Sequence, residues 1–122
     1  MPDRTSRERL RRKGKRGFQG YPLGTVAFYG PDDLRATKVA VGIVRREGEQ
    51  VREMEKWFSD ISDVRDDDLI GNQVLAFLQK HTVRTVVVGA VILGCPHEEG
   101  IDYPEGAVCP KCPYWAGRER PI

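Results

Sequence analysis

The stretch Asp66-Asp67-Asp68-Leu69-Ile70-Gly71-Asn72-Gln73-Val74-Leu75-Ala76-Phe77-Leu78-Gln79-Lys80-His81, running directly into Thr82-Val83-Arg84-Thr85-Val86-Val87-Val88-Gly89-Ala90-Val91-Ile92-Leu93, decides the fold. Leu69, Ile70, Val74, Phe77 and Leu78 recur at helical spacing. The acidic triplet ahead of them offers carboxylates to the free amides and the positive end of a helix, a simpler role than metal binding. The pattern predicts a helix over about 67–80, with His81 as a cap at its end. The apolar run from Thr82 to Leu93 then reads as a buried strand. A helix returning to such a strand predicts a parallel pairing at the centre of a sheet.

Working outward toward the N-terminus, Thr25-Val26-Ala27-Phe28-Tyr29 is a β-rich run closed by the turn residues Gly30-Pro31-Asp32-Asp33. In Thr37 to Val44 the residues Val39, Val41 and Ile43 alternate on one face, so the two runs pair as a hairpin. Glu47-Gly48-Glu49 is a further turn. Val51 to Phe58 has helix-compatible spacing at Val51, Met54, Trp57 and Phe58, but its place just after a short turn favours a third antiparallel strand. The predicted class is therefore α/β, with α+β as the alternative: a three-stranded antiparallel meander, a helix and a parallel strand. In this order Tyr21 to Leu93 resembles the opening of the ribonuclease H-like fold. Nucleases of that fold carry a catalytic carboxylate in the first strand, and Thr25 to Tyr29 has none; Asp32 and Asp33 lie past it.

Beyond the last strand, all three cysteines and one of the two histidines fall within 18 residues: Cys95-Pro96-His97, then Cys109-Pro110-Lys111-Cys112. Two residues between cysteines let one tight turn aim both sulfurs at one ion, and Pro110 helps to set that turn. Cys95, His97, Cys109 and Cys112 together would complete a tetrahedral zinc site, structural because its shell is full. Four cysteines are the usual set for an iron–sulfur cluster, and the chain has three. The alternative is a catalytic ion. His97-Glu98-Glu99 with Cys109-Pro110-Lys111-Cys112 superficially resembles the two halves of zinc deaminases, which would leave His97, Cys109 and Cys112 as ligands and Glu99 or Glu98 as general acid and base. Gly100 and Pro104 break the helix that such enzymes place after the histidine, and Val108 stands where their pattern has proline.

A chain of 122 residues, 39% hydrophobic, suits one modest core with a metal staple on its irregular end. No apolar segment suggests a membrane span or a signal peptide, and an odd cysteine count fits thiolates on a metal in a reducing cytoplasm. Charge is uneven. Residues 1–17 hold eight basic side chains, Arg4, Arg7, Arg9, Arg11, Arg12, Lys13, Lys15 and Arg16, against Asp3 and Glu8, so this segment is +6 and the remainder −4. Without apolar periodicity, residues 1–20 read as a disordered basic tail, either an arm for RNA or DNA or a solubilising segment. Residues 21–94 then form the core, and 95–122 the zinc-binding segment packed on it.

The residues from Gly94-Cys95-Pro96-His97-Glu98-Glu99-Gly100 through Cys109-Pro110-Lys111-Cys112-Pro113-Tyr114-Trp115, with Tyr21-Pro22-Leu23-Gly24-Thr25-Val26 and Tyr29-Gly30-Pro31-Asp32-Asp33, resemble the signature of an uncharacterised family of small bacterial proteins. That resemblance implies no activity. Glu98, Glu99, Asp102 and Tyr103 would ride on the metal loop, open to a ligand or protein partner, while Tyr114 and Trp115 would shield the metal. The function expected is that of a small zinc-binding accessory or binding protein, with a zinc-dependent hydrolase or deaminase as the alternative.

Overall fold

The structure is a computed structural model and describes residues 5–117. The chain runs α1 (Ser6–Lys15), β1 (Leu23–Tyr29), β2 (Lys38–Val44), β3 (Glu53–Phe58), α2 (Asp68–Lys80) and β4 (Thr85–Ile92), then a 3-10 turn (Pro113–Trp115). The strands form one mixed sheet in the order β3-β2-β1-β4: the first three pair antiparallel, and β4 lies parallel to β1. This is the meander, helix and parallel strand that the sequence predicts, and within Val51 to Phe58 a strand forms over Glu53–Phe58.

Alternation sorts the sheet into two faces. Val26 and Phe28 of β1 share a face with Val39, Val41 and Ile43 of β2, and this face is covered by Ile70, Val74, Leu75 and Leu78 of α2. Packing is close. A β-carbon at Gly24 would fall 2.5 Å from Leu78 Cδ2, so any side chain here would force Leu78 to move. At the far edge, Trp57 of β3 meets Phe77 of α2 edge to face, centroids 6.0 Å apart. The other sheet face carries small residues, Ala27, Ala40 and Gly42, with Val51 folded over Gly42.

Two expectations are corrected. β4 lies at the edge of the sheet, not its centre: its near-continuous apolar run has only β1 beside it, and Val87 and Val91 remain about half exposed. The apolar pattern records cover on one face plus contact with α1, which sequence alone does not separate from burial by a second strand. The basic tail also departs from expectation, because residues 6–15 are helical rather than disordered. Thr5 caps α1 by accepting a hydrogen bond from Glu8 N at 3.2 Å. The i to i+3 pair Thr5 and Glu8 is a helix-start signal legible in the sequence. Every fourth residue of α1 then faces the protein: Ser6 sits on α2, Leu10 is buried in the core, and Gly14 lies against Val88. One leucine flanked by two small residues produces no apolar periodicity, yet it lets the helix approach closely.

The acidic triplet ties the two helices together. Asp67 caps α2 through Ile70 N at 3.1 Å. Asp68 accepts from both the backbone N–H (3.1 Å) and the hydroxyl (2.8 Å) of Ser6, and Asp66 pairs with Arg7 at 2.6 Å. One carboxylate thus serves the first turn of α1 as well as that of α2, where the helix field favours negative charge.

Candidate metal centre

Pairing between β1 and the chain leaving β4 delivers the first ligand. Leu93 N donates to Phe28 O at 2.8 Å and Gly30 N to Gly94 O at 2.9 Å, so the backbone is still tied to β1 when it reaches Cys95. His97 follows one residue after Pro96 and turns back: its own N–H donates to Cys95 Sγ at 3.3 Å, and its Nδ1 lies 3.3 Å from the same sulfur. The segment 98–107 is closed by its own backbone. Asp102 N donates to Glu98 O and Gly100 N to Tyr103 O, and the left-handed turns fall on Gly100 and Gly106. The chain thereby returns to bring Cys109 and Cys112 to the same point, with Cys112 N donating to Cys109 O at 3.4 Å.

All four predicted ligands converge. Cys109 Sγ and Cys112 Sγ are each 3.4 Å from His97 Nδ1, and the four ligand atoms lie within 4.8 Å of one another. Bond lengths of about 2.3 Å to sulfur and about 2.0 Å to nitrogen place the corners of a tetrahedral shell roughly 3.5–3.8 Å apart. The cluster has that size, so it could hold a metal ion. The three sulfurs are buried, at 1–6% exposure. Burial drives the Cys112 thiol up to about 12 and raises that of Cys95 as well, whereas N–H donors from Lys111 and neighbouring thiols bring Cys109 below its ordinary value against the same burial. Burial thus opposes ionisation of Cys95 and Cys112, a cost that a cation bound among the sulfurs would offset.

Tyr103 and Trp115 supply the shielding. Tyr103 is buried among the cysteines, which corrects its expected availability to a ligand. Trp115 bridges the sulfur cluster and the main core, and its Nε1 donates to Gly30 O at 2.8 Å, fixing the C-terminal turn to the end of β1. Three carboxylates of the loop are engaged within the chain. Glu99 accepts from Gly106 N at 3.1 Å, Asp102 accepts from Glu98 N at 2.7 Å, and Glu98 pairs with Lys56, which holds its carboxyl below the ordinary glutamate range.

Lys38 is the site residue that sequence reasoning misses. Only 5% exposed, it passes over the rings of Tyr29 and Phe58 and donates from Nζ to Pro96 O at 3.0 Å, with Glu98 Oε1 at 3.6 Å. The residue between two ligands is thereby bolted to the sheet. A lone lysine in the otherwise apolar run of β2 is the available signal.

Of the predicted nucleic-acid residues, Arg4 lies outside the described residues. Arg7, Arg9, Arg11, Arg12, Lys13 and Lys15 are arrayed on α1, and Arg16 is its C-cap. Helical spacing groups Arg9, Arg12, Lys13 and Arg16 on one side and Arg7, Arg11 and Lys15 on another. Arg7 is paired with Asp66, and Arg9 reaches Asn72 at 3.5 Å. Among the described residues no helix is long and apolar enough to cross a membrane. Comparison with protein families, with curated proteins and with solved structures finds no match.

Proposed function

We propose that this chain is a zinc-binding accessory protein of the cytoplasm, in which the ion is structural and α1 carries a nucleic-acid contact. The observation that supports the first part is the convergence of four protein ligands, three thiols and one imidazole Nδ1, within 4.8 Å. Thiolate and imidazole donors suit zinc, and four of them fill its tetrahedral shell. The hydrolase and deaminase reading needs Cys95 to stand aside for a water and Glu99 or Glu98 to be free to move a proton. Cys95 stands within the cluster, and both glutamates already hold partners inside the chain.

The decisive experiment is metal analysis of the purified protein and of Cys95→Ser. The structural reading expects about one zinc per chain in the parent and weakened retention in the variant, because binding to such a loop is folding free energy. Full retention in Cys95→Ser would move the protein to the hydrolytic class.

The nucleic-acid contact rests on the array of cations on α1. Each Lys or Arg that neutralises a phosphate releases a counterion. Replacing Arg9, Arg12, Lys13 and Arg16 with alanine should weaken binding to a random duplex RNA or DNA and flatten its salt dependence. An unchanged salt slope leaves these residues as a solubilising surface.

A further inference from the structure

Between α1 and the edge of the sheet runs a groove of about 550 Å³ that shares no residue with the metal centre. One side of α1, comprising Arg7, Leu10, Arg11, Gly14 and Lys15, forms its wall, and Val86 to Ala90 of β4 lie along it. The depth of the groove is apolar, formed by Leu10, Phe28, Val64, Ile70, Val74 and Val86. The rim is cationic, and its cations differ in one respect. Arg7 is neutralised by Asp66 and Arg65 by Asp63, whereas Arg11 and Lys15 form no ion pair among the described residues. Four residues apart on a helix, these two side chains stand next to each other.

We propose that this groove binds a single-chain amphiphile, its anionic head held by Arg11 and Lys15 and its hydrocarbon chain laid over the apolar depth. The size of the groove, about 550 Å³, falls within the range of small-ligand sites, about 300 to 1,000 Å³, and suits a single-chain amphiphile. Charge selects the head group, because two neighbouring cations without carboxylate partners complement one carboxylate or phosphate. The proposal is independent of the metal and of the nucleic-acid reading.

Titration of the zinc-loaded protein with dodecanoate, below its micelle-forming concentration, tests this directly. Dodecanoate is expected to bind at one site, at least tenfold more tightly than either hexanoate or dodecyltrimethylammonium, and to raise the thermal midpoint. Arg11→Glu with Lys15→Glu should weaken dodecanoate at least tenfold, whereas Arg46→Glu, on the distant β2–β3 turn, should leave it unchanged. Equal affinity for the cationic amphiphile, equal affinity for hexanoate, or an unaltered dodecanoate affinity in the double variant would each overturn the proposal; the first two comparisons use the parent protein and so do not depend on a variant folding.

Discussion

Lys38 illustrates how a single side chain can couple the sheet to the metal loop. Its ammonium lies over the rings of Tyr29 and Phe58 and is shared between Pro96 O and Glu98. Lys38→Met keeps most of the buried volume but strips Pro96 O of a charged donor, a loss of about 2 kcal/mol by the scale of hydrogen bonds to charged groups. Urea unfolding of the metal-loaded protein should register it, together with faster loss of metal to a chelator. Glu98→Gln acts on a carboxylate that is one-third exposed, so its effect should stay within about 1 kcal/mol. Trp115→Phe removes the N–H that Gly30 O accepts while retaining an aromatic cover, and about 1 kcal/mol of stability should go with it. The four ligands are legible in the sequence because their chemistry and spacing are local. Lys38 is not, because its partner carbonyl lies 58 residues away along the chain.

At the scale of the element, α1 is held by its ends and by one leucine, so its docking should be sensitive to small changes. Gly71 lies where a β-carbon would come 2.0 Å from Ser6 Oγ, which forces Gly71→Ala to displace the start of α1. Hydrogen exchange should then accelerate in residues 6–15 while β1 and β2 keep their protection. The Asp68 carboxyl is held below its ordinary value by the Ser6 N–H and then by the Ser6 hydroxyl. A carboxyl lowered in the folded state contributes stability above its ordinary pKa, near 3.9, and that contribution is lost as the pH falls through the lower folded value. The amides of α1 should therefore lose protection below about pH 4, and Asp68→Asn should bring the same loss to neutral pH. Exchange in α1 that is insensitive both to acid and to Asp68→Asn would mean that Leu10 alone anchors the helix.

For the molecule as a whole, the buried residues fall into two clusters, the sheet core and the cysteine cluster, and Trp115 packs against both. Removing the metal should consequently release the segment 95–117 while the meander, α2 and β4 stay folded. A chelator titration followed by hydrogen exchange should find protection lost selectively beyond Gly94, with a change in Trp115 fluorescence; simultaneous loss across β1 and β2 would show instead that the ion supports the whole fold. The order of elements and the four clustered ligands could be read from the chain alone, because periodicity, turn residues and ligand spacing are properties of neighbours in sequence. Other features were decided only when distant segments met. The apolar run of β4 was compatible with the centre or the edge of the sheet until α1 and β1 had taken their places beside it. The helix at residues 6–15 carries too little apolar surface to declare itself, and it becomes a defined part of the fold where Asp68 and Val88 receive it, since burial and hydrogen bonding across the tertiary structure supply what its own composition lacks.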